Sequence, residues 1–193
     1  MTKQQLLIAG IDRMHAWCSL NSVSPPRVEV TVEPDENFGT CAYYRDSVIY
    51  IWPPACAAIG RAGRAWSYPG HVIDRTPFGV IQHELGHHVD LAHGARPGLH
   101  GFWQMRAQTG EKPISGYCPN DNEWFAEMFR LFVTNPTLLG TFRPRTYALM
   151  AGRWKSVETR HWEVALAGAD RQLALLRKRL AASRPSLQMQ EGV

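Results

Sequence analysis

The segment His83-Glu84-Leu85-Gly86-His87 places two imidazoles and a carboxylate within five residues. In a helix, residues four apart share a face, so His83 and His87 would present their rings to one point. Neutral imidazole nitrogen binds zinc readily, and a zinc ion with three protein ligands keeps a position for water. Glu84, next to the first histidine, is placed to take a proton from that water and pass it to a leaving amine. This pattern predicts metal-assisted hydrolysis with one Zn2+ ion. The competing reading is a non-catalytic protein stapled by zinc, which has no use for Glu84. Asp90 falls beside His87 on the ligand face, where a carboxylate can fix the tautomer of a ligand histidine. Gly86 removes a side chain, either for a close approach of backbone or substrate or for packing.

Three residues compete to be the third ligand. Glu123 lies in Asn120-Asp121-Asn122-Glu123-Trp124-Phe125-Ala126-Glu127, one helical turn ahead of Glu127 and opposite Phe125, Phe129 and Phe132. Glu123 could then bind the ion while Glu127 supports a ligand from behind; alternatively, both belong to a solvated face with Arg130. His93 completes the His83, His87, His93 spacing of metzincins, with Asp90 where those enzymes carry glycine. His100, in His100-Gly101-Phe102-Trp103, is similar to the downstream histidine of SprT-like DNA-associated proteases, the alternative enzyme reading.

Three stretches occur in order: His83 to Asp90, Ser115-Gly116-Tyr117, and Asn122 to Leu131. Together, over about residues 78–136, they resemble the catalytic domain of anthrax lethal factor and related toxin-type and phage-borne gluzincin peptidases. The resemblance implies a zincin-like fold and zinc metallopeptidase activity on peptide or protein substrates. It also implies Glu123 as third zinc ligand and Tyr117 as hydrogen-bond donor to the oxyanion, although Tyr117 stands one residue nearer the glutamate than its counterpart in the toxin.

The elements that must position these residues follow from periodicity. Leu7, Ile11, Met14 and Cys18 recur at helical spacing over residues 2–20, with Thr2 and Gln5 as a capping box. Arg27 to Glu33 alternates, which predicts a strand with Val28, Val30 and Val32 on its buried side. Cys41 to Trp52 reads as a hairpin turning at Arg45-Asp46-Ser47, and its Val48–Trp52 strand is a candidate edge for an extended peptide. Residues 55–77 give no clear pattern and, with 93–116, are expected to build the specificity loops. Helices are predicted near 78–92 and 120–134, the first buried through Ile81, Leu85, Val89 and Ala92, the second closed by Asn135-Pro136. Further helices are expected near 145–155 and 157–183. His15, His71, His88 and His161 lack partners at ligand spacing and read as surface or core residues.

The expected architecture is therefore α+β: one zincin-like domain over 1–193, with a small, partly antiparallel sheet packed on the two active-site helices and helices at both ends. Its core spans about 1–150, followed by a helical extension over 151–183 and a tail over 184–193. The 193 residues are 45% hydrophobic and 20% charged, enough for one sizeable core. A net charge of +4 does not make a nucleic-acid binder, and the basic residues near the C-terminus read as a solvated helix face. Four cysteines without a Cys-x-x-Cys pair read as free thiols, with two disulfides as the alternative; Cys118, beside Tyr117, is also a candidate cap for the zinc. No signal-peptide run is visible and no apolar stretch approaches the roughly 18 residues of a membrane span, so a cytoplasmic, membrane-free protein is expected.

Overall fold

A computed structural model describes residues 1–33, 41–61, 66–92, 102–118 and 120–157. The chain divides near Thr159, and the described residues all belong to the first unit, Met1–Thr159. Among them are six α-helices and a three-stranded mixed sheet, an α+β arrangement. Their order is α1 (Lys3–Leu20), β1 (Arg27–Val30), β2 (Ala42–Arg45), β3 (Val48–Ile51), a 3₁₀ turn (Pro53–Ala55), α2 (Pro77–Ala92), α3 (Trp103–Thr109), α4 (Asp121–Thr134), α5 (Pro136–Phe142) and α6 (Pro144–Ala151). No described helix is long and apolar enough to cross a membrane.

α1 opens with the expected capping box: Thr2 accepts from the Gln5 backbone while the Gln5 side chain reaches back. The hairpin turns through Asp46 (φ 51°) and Ser47 (φ 63°), whose left-handed conformations match the twist of a tight antiparallel pair. β3 is the central strand, paired antiparallel with β2 and parallel with β1. This corrects the expectation that Val48–Trp52 offers a free edge, because β1 occupies its other side. The edge that faces the cleft is β2. β1 also stops at Val30, and Val30 and Val32 are exposed rather than buried, so Val28 is the one valine of the three packed against the core.

α2 lies at the centre, against α1, α4 and the hairpin. It is buried on nearly every side, with Ile81, Leu85 and Val89 on one face and the buried polar residues Gln82, His83, Glu84, His88 and Asp90 on the others. Ile81, Leu85 and Val89 are fully buried, each worth about 1.5–3 kcal/mol, whereas Ala92 at the frayed end is exposed. Thr76-Pro77 starts the helix: the Thr76 hydroxyl accepts from Gly79 N–H at 3.5 Å, and proline fits a first-turn position whose N–H has no partner. Asp74 holds Thr76 through backbone and hydroxyl bonds of 3.1 and 2.6 Å and accepts from Gly70 N–H at 2.9 Å.

α4 is capped by Asn120, whose side chain accepts from Glu123 N–H at 3.0 Å. Its apolar face carries Phe125 and Phe129 into an aromatic cluster with Trp17, Phe102 and Trp154, ring centroids 4.8–6.3 Å apart. Asn135-Pro136 closes α4 and also opens α5, with Asn135 accepting from Leu138 N–H at 3.0 Å. The helix expected to reach residue 155 ends at Ala151. The predicted helix over 157–183 and the tail lie outside the described residues.

Candidate metal centre

Helices α2 and α4 meet at Gly86, where a Cβ would stand 2.7 Å from the Ala126 Cα. That approach brings the ligand face of α2 against the first turn of α4. His83 Nε2 lies 3.0 Å from one Glu123 carboxylate oxygen, and His87 Nε2 lies 3.5 Å from the other. The donor atoms of His83, His87 and Glu123 all fall within 4.8 Å of one another. Donors placed around a tetrahedral zinc at ~2.0–2.2 Å stand roughly 3.3–3.5 Å apart, so two imidazoles and this carboxylate fit such an ion with a fourth position left for water.

Behind His83, Glu127 is a hub. One of its oxygens accepts from His83 Nδ1 at 3.0 Å and Arg130 Nε at 3.0 Å; the other accepts from Arg130 at 3.0 Å and the Ser115 hydroxyl at 2.8 Å. Arg130 is 1% exposed and donates two further hydrogens to the carbonyls of His71 and Val72 at 2.9 and 2.7 Å. The alternative of a solvated Glu123–Glu127–Arg130 face is therefore overturned for Glu127 and Arg130. Burial opposes charge on Glu127, but the Arg130 guanidinium and the His83 bond win and hold its carboxyl well below the usual range. Burial likewise opposes charge on His83, yet bonds to Glu123 and Glu127 raise its pKa to about 10. Taking a metal at Nε2 thus means giving up a proton there, while Nδ1–H stays on Glu127 and fixes the ring.

Glu84 is buried on the same helix and lines the adjoining cavity. Burial pushes its pKa up, against the opposing pull of His83 and His87, and its carboxylate accepts a hydrogen bond from the Tyr44 backbone N–H. Strand β2 alternates: Cys41 C=O accepts from Trp52 N–H at 2.8 Å and Tyr43 pairs with Tyr50, so Ala42 and Tyr44 turn their backbone groups outward to the cleft. The cavity, about 380 Å³, is walled by Ala42, Ala55, Ala57, Ile73 and Val80, with Arg75 at its exposed rim.

Tyr117 lines the same cavity, 47% exposed, its ring centroid 5.7 Å from that of His83. Burial, then the charges of Glu123, Glu84 and Glu127, raise its pKa and keep the phenol protonated as a donor. Asp90 is fully buried, and its carboxylate accepts from Phe102 N–H at 2.8 Å, joining the end of α2 to the start of α3. Cys118 is buried, with its sulfur 4.0 Å from the Ser115 hydroxyl, and is not in the metal-ligating group. His88 is a core residue: its Nε2 donates to the Ser24 carbonyl at 2.9 Å, leaving Nδ1 to accept from the Tyr44 hydroxyl at 3.0 Å. His93, His100 and His161 lie outside the described residues.

Sequence reasoning missed Ser115 and Arg130 as partners of Glu127, and Tyr44 as a partner of Glu84. The Ser115-Gly116-Tyr117 motif was a signal for the first. Arg130 stands one turn from Glu127 on α4, and that spacing was a signal for the second, whereas Tyr44 depends on a contact between distant segments. No protein-family model, curated protein or solved structure matches the chain.

Proposed function

We propose that the protein is a zinc metallopeptidase of the gluzincin type, with a zincin-like fold. The observation that carries this reading is the convergence of the His83, His87 and Glu123 donors with buried Glu84 beside them at one cavity. A donor set of two histidines and one carboxylate is that of catalytic rather than structural zinc sites. A zinc ion held by His83, His87 and Glu123 would supply Lewis acidity for the scissile carbonyl and for a water. Glu84, held by the Tyr44 N–H and with its pKa raised by burial, accepts the proton of the attacking water and returns it to the leaving nitrogen. Tyr117 donates to the oxygen on which negative charge develops. The cavity walls of Ala42, Ala55, Ala57, Ile73 and Val80 receive an uncharged substrate side chain, and the outward backbone groups of Ala42 hold extended peptide.

The test is cleavage of a mixed peptide library by zinc-loaded protein and by Glu84→Gln at matched zinc content. Cleavage should fall by at least about a hundredfold in the variant, the scale of general-base catalysis. Equal cleavage by both proteins would sink the catalytic role of Glu84.

A further inference from the structure

Four cysteines are free, and two of them are together. Cys18 is isolated in the core, where burial pushes its thiol up to about 12, and Cys118 keeps company with Ser115. Cys41, just before β2, and Cys56, just after the 3₁₀ turn, are brought face to face by the hairpin. The Trp52 N–H bond to Cys41 C=O closes the backbone, and the Cys56 sulfur lies 3.8 Å from the Trp52 carbonyl and 4.0 Å from that of Cys41. The Cys41 thiol in turn hydrogen-bonds to Cys56. Both line the cavity that His83 and Glu84 line, and Cys41 is partly exposed there, so a small molecule reaches the pair through the cleft.

We propose that Cys41 and Cys56 are a thiol–disulfide modification site, closed into a reversible disulfide by exchange with a small disulfide of the glutathione class. One protein thiolate attacks a sulfur of the small disulfide, forming a mixed disulfide and releasing one small thiol. The second protein thiol gives its proton to water, and its sulfur attacks the protein sulfur of the mixed disulfide, releasing the second small thiol. Two protein S–H bonds and one small S–S bond become one protein S–S bond and two small thiols. The protein loses two electrons and the small disulfide gains them. The bond to Cys56 and burial keep the Cys41 thiol protonated at rest. The crosslink closes a short loop in the unfolded chain and ties down the start of β2, the strand whose Tyr44 N–H holds Glu84. It is independent of whether the cleft hydrolyses peptides.

The experiment equilibrates the full chain in glutathione buffers of graded oxidation, traps free thiols with an alkylating reagent, and reads intact mass, cross-linked peptides and melting temperature. Oxidation should remove two alkylatable thiols, lower the unalkylated mass by two hydrogens, yield a 41–56 linked peptide and raise the melting temperature, all reversed by dithiothreitol. Cys41→Ser and Cys56→Ser should each abolish this change. A Cys18→Ser/Cys118→Ser variant, which keeps only the pair, should preserve it and serves if the single variants fail to fold. Four alkylatable thiols in fully oxidised buffer, a lasting mixed disulfide with glutathione, or a link between any other two cysteines would overturn the proposal.

Discussion

Replacing Gly86 with alanine should weaken zinc binding much more than it weakens the fold. The new Cβ would stand 2.7 Å from the Ala126 Cα and 3.2 Å from the Ala126 Cβ and carbonyl oxygen. Ordinary contact begins at 3.4 Å, so the helices must part by about 0.7 Å, and the atom in the way is backbone that cannot swing aside. Such overpacking costs about 1–3 kcal/mol, partly offset by the roughly 0.8–1 kcal/mol that alanine gains over glycine in a helix. The metal-free protein relieves the clash by letting α4 move away. Zinc must draw α4 back, because His83 and His87 ride on α2 and Glu123 on α4, and ligand distances tolerate only about 0.2 Å. The clash energy then opposes metal binding, and 1.4 kcal/mol is tenfold in affinity, so zinc should bind about 10- to 100-fold more weakly. Competition with a chromophoric chelator measures this, with chemical unfolding in chelator as the stability readout. Gly116→Ala is the control, since nothing lies within 4 Å of its Cβ position. Wild-type zinc affinity in Gly86→Ala would refute the idea that the helix approach sets the ligand geometry.

Glu127→Gln leaves the Arg130 guanidinium buried without its anion, and removing one partner of such a pair costs about 3–5 kcal/mol; a loss below about 1 kcal/mol in urea unfolding would contradict the hub. The same carboxylate predicts acid sensitivity. Its folded pKa is depressed, so its contribution is present above the unfolded value near 4.5 and is lost as pH falls below it. Urea midpoints measured in chelator should therefore decline below about pH 4.5, less steeply in Glu127→Gln, and equal slopes would remove Glu127 as the cause. Tyr117→Phe should lower kcat by about a hundredfold with zinc content unchanged, and an unaltered kcat would retire Tyr117 as the oxyanion donor.

The half of the site carried on α2 was legible because its logic is local: the four-residue spacing of His83 and His87 sets their common face, and Ile81, Leu85 and Val89 mark the opposite one. Glu123 was one of three candidates, because its meeting with the histidines depends on how α4 crosses α2, which periodicity does not encode. Gly86 could be read as a close approach or as packing, and only the position of Ala126 decides it. Arg130 read as solvated because an ionised side chain is normally exposed; here the carbonyls of His71 and Val72, from a stretch with no regular pattern, complete its burial. The parallel β1–β3 pairing escaped for a similar reason. Adjacent hairpin strands announce themselves by their turn, whereas a strand joining from across a longer connection leaves no local mark. Asn135-Pro136 held a signal for α5 as well as for the end of α4, since asparagine before proline caps a new helix.

Whether one zinc ion is held by His83, His87 and Glu123 is decided by anomalous scattering at the zinc edge from crystals of the zinc-loaded protein. A single peak is expected ~2.0–2.2 Å from the Nε2 atoms of His83 and His87 and from a Glu123 carboxylate oxygen. An ion ligated by His93 or His100 in place of Glu123, or no ion between His83 and His87, would contradict it.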